Sequence, residues 1–223
     1  MTNEKRKIVI PGETIVVGGD FLPGENTEKK GDEIIATKFG LAEEQGNLVK
    51  VIALSGVYTP RRGNVVIGTV SNLTFNGWVV DIGMAENAFI PLTEVPRFVN
   101  KNAIDEVMDF GDLVVAKIIE SRGRGIDMTL RSRGLGKIED GMIIKVNPNK
   151  VPRIIGKEGS MVTLIKEKTG CNITVGQNGR VWLKGNTIEE ELYAKKAIMF
   201  VADNSYISGL TDAVNKWFEE NKK

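Results

Sequence analysis

The chain has 223 residues, with 30 Lys and Arg against 29 Asp and Glu, no histidine, and a single cysteine, Cys171. Without imidazole no Ser/His/Asp or Cys/His nucleophile system and no His-ligated metal site can be built, and one thiol makes neither a Cys-rich zinc site nor an internal disulfide, which fits a reducing compartment. No apolar run approaches the roughly 18–20 residues of a membrane span, and the N-terminal MTNEKRKIVIPGE has no signal-peptide core, so a cytoplasmic protein with no membrane partner is expected.

The first segment, residues 1–56, predicts a small all-β unit. Ile8-Val9-Ile10 runs into the turn signal Pro11-Gly12, and Thr14–Val17 runs into Gly18-Gly19. Residues 32–37 (DEIIAT) and 47–54 (NLVKVIAL) are the other expected strands, with ENTEKKGDE and GLAEEQGN as turns between them. So short a segment buries little surface alone and is expected to complete a neighbour or dock on a partner.

Residues 57–132 follow with strands predicted at 64–71, 75–82, 87–90, 113–121 and 126–130, and a longer link after the third. Five short strands in this order predict a small oligonucleotide-binding (OB) barrel. The loop Ser121-Arg122-Gly123-Arg124-Gly125 joins its last two strands and borders the usual ligand side of such barrels. Arg122 and Arg124 suit phosphate contact, as does Arg131 at the barrel's end, and Phe75, Trp78 and Phe89 are candidate base-stacking platforms.

The third segment, 133–223, changes character. A strand at 141–146 precedes a helical turn at Val151–Ile155, the loop Gly156-Lys157-Glu158-Gly159, and a helix over Ser160–Thr169 closed by Gly170. Strands at Asn172–Val175 and Arg180–Lys184 flank Gly176-Gln177-Asn178-Gly179, where Asn178-Gly179 signals a hairpin. A helix over 188–201 follows, expected to bury Ile188, Leu192, Ile198 and Val201 on one face, and a last helix or tail covers 207–221. The order β-α-(GKEG)-α-β-β-α is that of a type I KH domain (βααββα).

The charge is not evenly spread. Residues 133–223 hold 15 basic and 11 acidic side chains (15 − 11 = +4), whereas 1–55 hold 7 and 9 (7 − 9 = −2). The positive stretch surrounds Gly156–Gly159. Glycines without side chains admit a nucleic-acid backbone, and the helix that follows offers free N–H groups. Arg153, Lys157 and Ser160 add donors, so Gly156, Gly159 and these three are the expected RNA contacts. Gly176, Asn178 and Gly179 are expected to be a structural turn. The acidic residues show no D-x-D pair or P-loop, and no catalytic, metal or cofactor site is expected.

Three stretches together resemble the S1/KH-type RNA exosome cap subunits of archaea. They are Tyr58-Thr59-Pro60-Arg61-Arg62-Gly63-Asn64-Val65-Val66-Ile67-Gly68, Val151-Pro152-Arg153-Ile154-Ile155-Gly156-Lys157-Glu158-Gly159-Ser160, and Gly176-Gln177-Asn178-Gly179-Arg180-Val181-Trp182-Leu183. The resemblance makes the barrel an S1 domain and the last stretch the element that packs KH against barrel. It implies a non-catalytic role in which three copies of the chain cap a hexameric ring of RNase PH-like subunits. The N-terminal domain would dock on the ring, and single-stranded RNA 3′ ends would be guided into its pore for 3′→5′ phosphorolysis. Where generic S1 domains present aromatics and a histidine to RNA, this sequence has Asn76, Val79 and Pro91, which moves the expectation toward Arg122 and Arg124. A stand-alone S1/KH protein of translation or RNA regulation, or a carboxylate-metal ribonuclease, stays open as an alternative.

Overall fold

The computed structural model describes residues 7–100, 103–122 and 125–221. It divides into two compact units, Met1–Val57 and Tyr58–Lys223.

The first unit is all β: β1 (Lys7–Val9), β2 (Thr14–Val17), β3 (Leu22–Pro23), β4 (Thr27–Lys30), β5 (Glu33–Ala36), β6 (Gly40–Gln45) and β7 (Leu48–Ala53). They form two sheets, β1-β6-β7-β3 and β2-β5-β4, around a core of Val9, Ala36, Ala42 and Val51. Two stretches expected as turns are strands instead. In GLAEEQ the buried Glu43 stands opposite Lys50 across the β6–β7 ladder, with their charged ends 2.9 Å apart. Gly40 leaves no room for a side chain, since a Cβ there would lie 2.2 Å from the Ile52 carbonyl oxygen. In TEKK the strand is held by its pairing with Glu33–Ala36. Both strands pair with the strand that follows them in a hairpin, β4 with β5 and β6 with β7, which their charge-rich composition conceals.

The second unit begins with the barrel: β8 (Val65–Thr74), β9 (Gly77–Asp81), β10 (Ala88–Pro91), β11 (Leu113–Arg122) and β12 (Gly125–Thr129). Neighbours run β8-β9-β10-β12-β11 and back to β8, closing a five-stranded ring as the strand count predicts. A short strand missed by sequence, β13 (Gly136–Ile138), adds to the outer edge of β11. Tyr58 and Asn64 fasten the entry: the Tyr58 hydroxyl donates to Asn64 Oδ1 at 2.9 Å, and Arg61 N–H donates to the same oxygen. Burial pushes the Tyr58 phenol up to about 12, so it stays a donor at neutral pH.

The chain then forms β14 (Met142–Lys145), α1 (Val151–Ile155), α2 (Ser160–Thr169), β15 (Asn172–Val175), β16 (Arg180–Lys184), α3 (Ile188–Asp203) and α4 (Leu210–Glu220). The sheet order is β14-β16-β15, all antiparallel, and the helices cover it. Together the two parts give the multidomain sequence of mainly β, then α+β, that the residues imply. The face of α3 differs from expectation. Ile198 and Val201 are buried, but Ile188 and Leu192 are exposed, and Ala194, Ala197 and Ala202 take the inner face. Small side chains allow this helix to pack closely, a choice that a search for large apolar residues misses.

Candidate nucleic-acid interface

The Gly156–Gly159 loop has an unusual backbone. Gly156, Glu158 and Gly159 all have positive φ (75°, 54° and 84°), with a short 3-10 turn over Lys157–Gly159. The two glycines serve different purposes. A Cβ at Gly156 would lie 2.6 Å from Met161 N, so this glycine packs the loop under the start of α2. A Cβ at Gly159 would meet nothing within 4 Å; this position is open to a ligand and needs glycine only for its φ.

Gly159 is also the N-cap of α2 and gives no side-chain hydrogen bond to it. No side chain caps the start of the helix, where the positive end of the dipole lies, although the Ser160 N–H is taken up by the Lys157 carbonyl oxygen. Ser160 opens this helix with an exposed side chain, Lys157 is exposed, and Arg153 is half-buried in the last turn of α1. Neither cation has an ion-pair partner among the described residues. The loop thus brings together a bare backbone edge, a helix N-terminus, one hydroxyl and two unpaired cations. Glu158 stands against it as the single like charge toward a phosphate.

The Gly176–Gly179 turn fixes where this loop sits relative to the barrel. Early in β8 one edge faces β11, while β9 joins the other edge only from Thr69 onward. The turn fills the resulting fork. Gln177 N–H donates to Val65 O at 2.8 Å, and Gln177 Oε1 accepts from Val65 N–H at 2.6 Å. The buried Asn178 amide donates to Ile67 O (2.8 Å) and Ile82 O (2.9 Å) and accepts from Ile67 N–H (3.2 Å). Gly179 alone in the turn has positive φ, so this is not the two-residue hairpin that Asn-Gly suggests.

Arg180 completes the seam with bonds to the Asp81 carbonyl oxygen and carboxylate, both 2.9 Å. Partial burial pushes the Asp81 carboxyl up, but the Gly83 N–H, the Arg180 bond and the charges of Arg180 and Lys145 together hold it below its ordinary 3.8. A carboxylate with a depressed folded-state value adds stability above the unfolded value and loses it as pH falls through the folded one. Acid titration followed by circular dichroism should therefore show the protein losing stability below about pH 4, and Asp81→Asn should remove part of that dependence. An unchanged acid profile would mean that the ion pair contributes nothing to the seam.

The other expected contacts scatter. Trp78 is corrected: it is fully buried, its indole N–H donates to Met108 O at 2.8 Å, and it belongs to the barrel core, so it offers no face to a base. The Arg131 guanidinium donates to Thr93 O and lines a groove beside the segment after β10. Arg122 ends β11, with its side chain beyond the described atoms, and Arg124 lies outside the described residues. Gln177 and Arg180 lie in the stretch that the resemblance makes the KH–barrel packing element, but their individual bonds across the seam carry no signal in the sequence. Among the described residues, no three of His, Cys, Asp and Glu gather as metal ligands would.

Residues 141–189 match the KH domain family. Over nearly the full length the chain is similar to proteins named exosome complex component Rrp4. It is 39% identical to that of Nitrosopumilus maritimus, covering 97% of both chains, and 37% identical to that of Methanothermus fervidus, covering 96% of both. The chain belongs to the Rrp4 family of exosome components. Rrp4 of Methanothermobacter thermautotrophicus is longer; the match there is 36% identical and covers 97% of this chain and 68% of that one. The crystal structure of a candidate exosome complex RNA-binding protein superimposes with a TM-score of 0.64 at 34% identity, covering 74% of this chain and 97% of the other. The seam and the glycine loop described above are thus features of an Rrp4-type chain.

Proposed function

We propose that this chain is a non-catalytic, RNA-binding cap subunit of the exosome. Three copies sit on a hexameric ring of RNase PH-like subunits and guide single-stranded RNA 3′ ends into its pore, where the ring degrades them 3′→5′ by phosphorolysis. The observation that carries this reading is the Gly156–Ser160 loop: an open backbone edge at Gly159, an uncapped helix start and the unpaired Arg153 and Lys157 suit a phosphodiester chain read without base specificity. Arg122 and Arg124 supply further cations on the loop between the last two barrel strands.

Residues 1–56 serve as the ring-docking domain, followed by the S1 barrel at 57–132 and the KH domain at 133–223. Support for docking comes from the outer face of β1-β6-β7. Ile8 and Ile52 flank Leu41 in one cross-strand row, and both remain exposed, at 49% and 40%. Such a row gains most when a partner covers it.

The test mixes the chain with RNase PH-like ring subunits and follows co-elution and phosphate-dependent RNA decay together. Co-elution, faster decay in the assembled complex and intact RNA with the isolated chain are expected. Cleavage by the isolated chain would overturn the non-catalytic reading. RNA binding without co-elution at micromolar concentrations would favour a stand-alone RNA-binding protein instead.

A further inference from the structure

A groove on the barrel shares no lining residue with the glycine loop. It runs between the 3-10 turn Leu92–Glu94, the segment 95–100 and Arg131 beyond β12, and encloses about 740 Å³. Leu92, Val95 and Val99 belong to or pack on the barrel core and make its floor apolar. Phe98 at its side is 94% exposed, the most exposed large apolar side chain among the described residues. Arg97 is exposed beside it, and Arg131 is tethered by its bond to Thr93 O, which fixes one guanidinium at the groove with donors to spare. Among the described residues no acidic side chain lines the groove, although Glu94 ends the 3-10 turn at its edge.

We infer that this groove is an additional single-stranded RNA subsite, in which a nucleobase stacks on Phe98 and the flanking phosphates meet Arg97 and Arg131. An exposed ring and two guanidiniums lining one groove over an apolar floor match what a nucleotide offers, a π-face flanked by phosphates. The volume is that of a small-ligand site. A second exposed ring is tied to the groove's wall through the backbone. Leu92 N–H donates to Asn76 O at 3.0 Å, which ties the groove to the tip of the β8–β9 hairpin, where Phe75 is exposed. The inference rests on the RNA-binding reading above and adds a site to it.

The test uses the full chain and an oligoadenylate of about twelve nucleotides, a length within reach of one barrel and its surroundings. Fluorescence anisotropy at low salt should show Phe98→Ala weakening binding about fivefold or more, the loss of one stacked base, with Phe98→Trp restoring it. Arg97→Ala should lower the slope of log affinity against log salt by about one. Ultraviolet cross-linking should recover a peptide containing Phe98. Because Phe98 is exposed, unchanged thermal unfolding is the control for folding. Wild-type affinity in Phe98→Ala, with no cross-link in residues 95–100, overturns the groove while binding by the wild type leaves the wider reading standing. An effect of Phe98→Ala on self-association but not on RNA affinity also overturns it. If the wild type binds no RNA, both readings fall.

Discussion

Gly159→Asp should lower the affinity of the full chain for single-stranded RNA by about tenfold or more, with only a small change in thermal stability. The position is open, so the new side chain meets no neighbour. It costs about 1 kcal/mol of backbone strain at a φ of 84°, which in a chain of this size lowers the unfolding midpoint by a few degrees. Its carboxylate, however, would stand at the start of α2, where the proposed phosphate approaches, and the loss of one hydrogen bond to a charged group is worth about 1.5–3 kcal/mol. Gly156→Asp gives the opposite balance. A Cβ there is driven into Met161 N and Ser160 Oγ, an overpacking that costs about 1–3 kcal/mol before any ligand is considered. Anisotropy titrations and thermal melts of the two variants separate these outcomes. Full RNA affinity in a folded Gly159→Asp protein would remove the loop from the interface.

Asn178→Ala should be among the most destabilising single changes in the second unit. The amide is buried and makes three hydrogen bonds, two to Ile67 and one to Ile82. Truncation leaves one donor and two acceptors of β8 and its neighbour without partners in a region with no room for bulk water. Each unsatisfied buried group costs about 1–3 kcal/mol, so the total is about 4 kcal/mol. In a unit of this size that corresponds to a midpoint lower by about 10 °C. Asn178→Asp should fare little better, since a carboxylate cannot donate to the two carbonyl oxygens. A midpoint within about 2 °C of the wild type would show that the amide is not what holds the seam.

The parts of this molecule that sequence reveals are those fixed by local chemistry. Gly170 ends α2 in a left-handed conformation, as a C-cap glycine should, and α2, β15 and β16 have the limits read from sequence. The glycine loop was legible because four residues in a row carry its geometry. What sequence hides lies in charge-rich strands and in contacts beyond each segment. The strands Thr27–Lys30 and Gly40–Gln45 look like solvated turns because their charged residues mask hairpins with the strands that follow them. Trp78 shares its strand face with the buried Val80 and Ile82, but alternation alone does not say which of Phe75, Trp78 and Phe89 fills the core; only the closed barrel does. The double role of Asn178, as both turn residue and plug between strands, appears only when β8 and β9 are seen to part. Phe98 has no sequence signature at all; its meaning comes from the groove beside it.

The interlock of Gln177, Asn178 and Arg180 with the barrel has a consequence for how RNA is held. Because KH and barrel are joined by a hydrogen-bonded seam within one compact unit, contacts of both with RNA, as proposed above, would act as a chelate. Once one contact is made, the other meets the strand at an effective concentration set by geometry, where a floppy tether would dilute it. On the proposed function, contacts that are individually weak would then retain a strand long enough to span both, and, each letting go in turn, would let it slide forward without release.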